Sequence, residues 1–193
     1  FYAAAYDTTG IPELDGDVVL SFRGTNPNLS ADLFNSPAWR DVTNGWIGAV
    51  GATGLPGGPS GQAALALDFH ALMRAAEGAD GRNFQTTGHS LGGGLAGLVA
   101  NVHGLRSVPF DHMPYEATSQ VAVLMGTLDT GIRDRWFGGA EPMATESSGI
   151  DALSTDGEFL AYVRAGLFSP STALDSHTDG LSALSLHSHP MLV

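Results

Sequence analysis

Asn83-Phe84-Gln85-Thr86-Thr87-Gly88-His89-Ser90-Leu91-Gly92-Gly93-Gly94-Leu95 is the stretch on which the fold turns. Its first part, about Asn83 to Thr87, reads as a short strand, and Leu91 to His103 carries Leu91, Leu95, Leu98, Val99 and Val102 at helical spacing. Between them, Gly88-His89-Ser90-Leu91-Gly92 fits the pattern in which a serine occupies a sharp strand-to-helix turn. Such a turn holds the serine at strained backbone angles, so Gly88 and Gly92 are needed to keep side chains out of the crowded space beside it. Gly93 and Gly94 let the following helix pack closely. The turn lifts the hydroxyl clear of the sheet and aims the Leu91 amide at the place where an oxyanion would develop. A glycine-rich helix start with an ordinary serine is the competing reading. The strand before and the periodic helix after weigh against it.

Working outward, Asp17 to Phe22 reads as a buried strand bounded by Gly16 and Gly24. Gln62 to Glu77 predicts a helix with Leu65, Phe69, Leu72, Met73 and Ala76 on one face and Gly78 as its stop. Ser107 to Phe110 reads as another strand. Strand, helix, strand, helix, strand predicts an α/β chain with a mainly parallel sheet flanked by helices. Phe1 to Tyr6 fits a partner strand or a short helix, and Gly24 to Gly61 reads mainly as loop, with a short helix over Ala38 to Val50 as an option. Further on, Tyr115 to Leu128 reads as helical and Gly131 to Gly149 as a looser stretch. Ala152 to Phe159 suggests a strand or turn leading into a short helix over Leu160 to Leu167, and the tail from Ser169 to Val193 reads as loops around the site. With 193 residues, 43% of them hydrophobic, residues 1–193 fit one minimal domain with a sizeable core. The abrupt opening Phe1-Tyr2-Ala3 lacks the basic start and apolar run of a signal peptide and reads as cut from something longer.

Acidic side chains outnumber basic ones 20 to 8, a formal net charge of −12 that repels nucleic acid phosphates and anionic membrane surfaces. The absence of cysteine excludes disulfides, thiolate metal sites and a cysteine nucleophile. No apolar run approaches the roughly 20 residues that span a bilayer, so stable membrane insertion is not expected. Composition leaves the oligomeric state open.

Gly88-His89-Ser90-Leu91-Gly92-Gly93 resembles the elbow of lipases, and Ser21-Phe22-Arg23-Gly24-Thr25 resembles the oxyanion strand of the class 3 lipase family, in the same order and at similar spacing. Phe110-Asp111-His112-Met113-Pro114 and Leu186-His187-Ser188 resemble segments of lipase-like domains in large secreted bacterial proteins with calcium-binding repeats. The resemblance covers about residues 15 to 115, with a weaker echo over 155 to 193. It implies an α/β-hydrolase fold, carboxylic ester or lipid substrates, an extracellular setting and no cofactor. It also implies that Thr25 offers its amide and hydroxyl to the oxyanion hole, with Leu91 supplying the second amide. A phospholipase, polyester or amide hydrolase of the same fold, or a non-catalytic binding module of a larger secreted protein, are the alternatives.

A serine nucleophile needs an imidazole within hydrogen-bond reach. The chain order serine, acid, histidine leaves His177, His187 and His189. The resemblance of Leu186-His187-Ser188 to a closing segment favours His187, with His189 second. His89 is expected to pack beside the serine, His70 to be packed or solvated, and His112 to line the pocket. The acid candidates are Asp129, Asp156, Glu158, Asp175 and Asp179. The family's glycine-acid pair after a late strand implies Glu158, with Asp156 second, although the family uses aspartate there. Asp175, His177, Asp179 and Gly180 open like a calcium loop, but Leu186 stands where such a loop needs glutamate. A zinc site from His177, His187 and His189 has no recognisable spacing, so no metal is expected. The apolar residues between Trp46 and Leu55, and Trp136-Phe137, read as a pocket rim or lid or equally as core packing.

Overall fold

A computed structural model describes residues 1–14, 16–24, 61–77, 81–166 and 169–175. In chain order the elements are β1 (Ala3–Asp7), β2 (Val18–Phe22), α1 (Gly61–Glu77), β3 (Phe84–His89), α2 (Leu91–His103), β4 (Arg106–Phe110), α3 (Glu116–Leu128), α4 (Thr130–Phe137), β5 (Leu153–Thr155), α5 (Phe159–Gly166) and β6 (Thr172–Leu174). The strands form one sheet in the order β1-β2-β3-β4-β5-β6. β1 runs antiparallel to β2, which settles the opening segment as a strand, and every later pair is parallel. The expected α/β arrangement with a mainly parallel sheet is therefore present. Parallel pairing has a direct consequence: the carboxyl ends of β2, β3, β4 and β5 lie along one edge. Phe22 pairs with Gly88, His89 with Phe110, and Phe110 with Leu153 across that edge.

Along β2, Val18, Leu20 and Phe22 are buried while Val19 and Ser21 are half-buried. β4 repeats the alternation, with Ser107 and Pro109 buried, Arg106 and Val108 exposed and Phe110 half-buried. The two faces of the sheet are thus unequal, and the period of 2 shows on the buried one. The helix α2 lies over β2, β3 and β4. Every residue from Leu91 to Val102 is buried, so α2 is apolar almost all round, Asn101 excepted, because it is enclosed on all sides. α1 and α3 pack against α2, and α4 packs against both of them.

Three expectations are corrected. The tail from Ser169, read as loops, begins with the edge strand β6, which pairs parallel with β5. The buried residues of α1 are Ala63, Ala66, Leu67 and His70, while Leu65 and Leu72 are 46% and 64% exposed. Both sets have helical spacing. The small Ala63 and Ala66 allow close approach to the core, and the His70 ring is enclosed by Phe84 and His103, with centroids 5.4 and 4.2 Å away. The stretch 131–149 is not loose at its start, because it opens within helix α4. Asp129 caps that helix by accepting from the Ile132 amide at 3.0 Å, and Gly138 ends it at φ 63°.

Trp136 and Phe137 belong to the core, at 4% and 7% exposure. The Trp136 indole donates to Asp68 of α1 at 2.9 Å, and Arg135 holds both oxygens of the same carboxylate. They pin α4 to α1, which selects core packing over a pocket rim. Residues 46–55 and the helix considered over 38–50 lie outside the described residues. Among the described residues, no helix is long and apolar enough to cross a membrane.

Candidate functional site

The corner between β3 and α2 is fixed by backbone hydrogen bonds on both sides. The Ser90 amide donates to the Phe110 carbonyl at 3.0 Å, and the Ser90 carbonyl accepts from the Gly94 and Met113 amides at 3.0 and 3.1 Å. Held this way, Ser90 has φ 57° and ψ −123°. Few side-chain-bearing residues adopt such angles, and holding one there costs about 1–3 kcal/mol. The Ser90 hydroxyl does not cap α2, although the residue stands at the capping position. The side chain is half-buried.

The expected role of the glycines follows from what a Cβ would meet. At Gly88 it would collide with the Gly92 carbonyl and lie 2.8 Å from the Phe22 carbonyl oxygen. At Gly92 it would collide with the Phe22 carbonyl oxygen and lie 2.6 Å from the Arg23 carbonyl carbon. These neighbours are backbone atoms, which cannot swing aside. At Gly93 a Cβ would come 2.9 Å from both His112 Cβ and the Phe110 oxygen.

Gly24 presses on the same corner, where a Cβ would lie 2.7 Å from the His89 oxygen and 3.5 Å from Ser90 Cβ. The end of β2 therefore abuts the serine. Thr25 comes next in the chain, but it lies outside the described residues, as do His177, Asp179, His187 and His189. Leu91 is the first residue of α2, so its N–H has no acceptor within the helix. That N–H sits at the positive end of the helix dipole.

The acid candidates fall into different environments. Asp129 is the exposed cap of α4. Asp156 is exposed at the corner after β5, where its amide donates to the Leu174 carbonyl at 2.9 Å. Asp175 is exposed just past β6. Glu158 is fully buried. One of its oxygens pairs with the buried Arg164 guanidinium, and the other accepts from the Leu160 amide at 2.7 Å in the first turn of α5. Arg164 also donates to the His112 carbonyl at 2.9 Å, so this ion pair ties α5 to the loop after β4.

One carboxylate passed over in the sequence stands at the same edge. Asp111 follows β4 directly and is fully buried. It is also, with Ser90, one of two non-glycine residues at positive φ among the described residues, at 41°. Its amide donates to the Leu153 carbonyl at 2.9 Å. Its carboxylate accepts from the Thr155 amide at 2.6 Å and the Thr155 hydroxyl at 3.1 Å, and one oxygen lies 3.7 Å from His89 Nε2. Asp111 thus links the end of β5 to the residue beside the serine, across β4. In the sequence it lies within Phe110-Asp111-His112-Met113-Pro114, a segment that carries part of the lipase resemblance but gives the aspartate no role. The distinguishing signal is a backbone angle, which no residue pattern announces.

Among the other histidines, His89 is half-buried with its Nε2 toward Asp111, and His112 is fully buried. The His112 Nδ1 lies 3.0 Å from the Met113 carbonyl, which requires the proton on Nδ1. Burial, aided by the charge of Arg164, pushes the His112 pKa down to about 4. His70 is likewise held at about 4, by burial first and the Arg74 charge second. Among the described residues, no group of three or more potential metal-binding side chains converges. Comparison with protein-family models finds no match, and comparison with curated proteins finds none either.

Proposed function

We propose that the chain is a serine hydrolase of α/β-hydrolase architecture that cleaves carboxylic esters through an acyl-enzyme. The observation that carries this reading is the backbone of Ser90, at φ 57° on a strand-to-helix corner cleared by Gly24, Gly88 and Gly92. Strain of that kind persists only where the surroundings over-determine it, and a hydroxyl held out from a corner is a nucleophile's placement.

In this mechanism Ser90 Oγ bonds to the ester carbonyl carbon while its proton passes to an imidazole of the tail, His187 by resemblance. The carbonyl oxygen takes up the negative charge and is met by the Leu91 amide at the start of α2, with Thr25 as the second donor by resemblance. Each such donor contributes about 3 kcal/mol to the transition state. Collapse of the intermediate breaks the bond to the alcohol, which leaves with the proton from the imidazolium. Water then repeats the sequence, its proton going to the imidazole, its oxygen to the acyl carbon, and a proton returning to Ser90. The lipase resemblance supports ester or lipid substrates and an extracellular setting, and none of these steps calls on a cofactor.

The test is fluorophosphonate labelling together with turnover of p-nitrophenyl esters. The parent is expected to label at Ser90 and turn over, and Ser90→Ala is expected to lose labelling and at least about 10⁵-fold in kcat/KM. A folded parent that neither labels nor turns over is a binding module instead.

A further inference from the structure

We propose that Asp111 is the positioning residue of this site: the carboxylate that orients the imidazole serving Ser90 and supports its charged form. The proposal rests on the serine hydrolase reading and replaces Glu158 in that role.

Three features of the structure lead there. First, Ser90 and Asp111 are the non-glycine residues at positive φ among the described residues, and they stand at the carboxyl ends of adjacent strands. The Ser90 amide donates to the carbonyl of Phe110, the residue before Asp111, so the two strained positions are coupled by one hydrogen bond. Second, the Asp111 carboxylate is fully buried and fixed by the Thr155 amide and hydroxyl. An ionised carboxylate held by donors in a dry setting exerts its field on a neighbouring imidazole with little screening. His89, next to the serine, already lies within 3.7 Å of it. Third, Glu158 is neutralised by the buried Arg164 and further held by the Leu160 amide. A carboxylate whose charge is cancelled by a guanidinium has little left to stabilise an imidazolium. Its geometry is that of a brace between α5 and the loop after β4.

During acylation the proton of Ser90 moves to the imidazole alone, and Asp111 stays ionised throughout. Its part is to fix the ring's tautomer and orientation.

Asp111→Asn is a clean test because asparagine tolerates positive φ and its side-chain oxygen keeps the Thr155 amide bond. The readout is kcat and kcat/KM for p-nitrophenyl esters across pH, normalised to sites titrated with a fluorophosphonate, so that any loss of folded protein cancels. We expect kcat per titrated site to fall by about 10²- to 10⁴-fold with KM within threefold. The acidic limb of kcat/KM should move to lower pH, because removing the negative charge makes the imidazole harder to protonate.

Glu158→Gln and Asp156→Asn should leave both the per-site rate and the limb in place. If Asp111→Asn does not fold, Thr155→Val serves, since it removes one donor to the carboxylate while keeping shape. The limb should then move upward, because the carboxylate is less quenched. An unmoved limb in the Asp111 or Thr155 variant, or a moved one in the Glu158 or Asp156 variant, overturns the proposal while leaving the nucleophile intact. A parent with no labelling and no turnover overturns both together.

Discussion

The two ends of α2 pose the same geometric problem and answer it differently. Each end needs a residue at positive φ: Ser90 at 57° before the helix and Gly104 at 64° after it. At the carboxyl end the chain uses glycine, whose N–H caps the Ala100 carbonyl, and a Cβ there would meet nothing within 4 Å. At the amino end it keeps a side chain and instead strips the neighbours, so that Gly24, Gly88 and Gly92 touch backbone against backbone. Where only a turn is needed, the relaxed solution is used. Where a hydroxyl is needed, the strain is accepted and the space around it is cleared.

The sharpest way to break this contrast is Gly92→Ala. The new Cβ would drive into the Phe22 carbonyl and the Arg23 backbone, neither of which is the end of a flexible side chain. A loss of more than about 3 kcal/mol is expected, read as a lowered urea midpoint or as failure to fold. A variant with parental stability would show that the corner is loose and that Ser90 is not over-determined.

A next effect belongs to the other end of the helix, where the His103 ring stacks 4.2 Å from that of His70. Burial holds His70 at a pKa of about 4, against an ordinary value of 6.5. His103 is pushed down too, by burial and then by the charges on His70 and Arg74. The folded state therefore keeps these rings neutral while the unfolded chain protonates them below about pH 6.5. Their contribution is complete above pH 6.5 and is lost as pH falls toward 4. For His70 alone that loss reaches about 3 kcal/mol. Urea midpoints at pH 7 and pH 4.5 measure it, and His70→Leu should flatten the dependence. An equally steep curve in that variant would place the effect elsewhere, with the buried His112 as the first alternative.

These two ends also mark what the residues alone could announce. The elbow was legible because its requirements are written in residue types: a strand, two spaced glycines, a serine and a periodic helix. The bounds of α2 were readable to the residue for the same reason. The buried side of α1 was not, because Ala63, Ala66, Leu67 and His70 share helical spacing with the larger Leu65 and Leu72, and only neighbouring elements decide which set faces inward. The helix α4 was missed because Trp136 and Phe137 draw their burial from Asp68 and the core across α1, far away in the chain. Asp111 was invisible for a further reason. Its segment, Phe110 to Pro114, carried part of the lipase resemblance, but the features that single it out are a dihedral angle and two bonds to Thr155, which residue types do not encode.

The smallest effect is also the most discriminating, because the two ends of α2 should respond with opposite signs. Ser90→Gly removes the Cβ that makes φ 57° unfavourable, at a cost of about 0.5–1 kcal/mol in added freedom of the unfolded chain. Against relief of about 1–3 kcal/mol, the variant should be stabilised by about 1 kcal/mol while losing the proposed activity. Gly104→Ala meets no steric contact, yet it places a Cβ at φ 64° and should cost about 1 kcal/mol. Paired urea titrations read both shifts. If both substitutions destabilise, Ser90 is held by contacts that glycine forfeits rather than against a backbone preference. The difference between the ends of α2 would then be one of packing, not of strain kept for a hydroxyl.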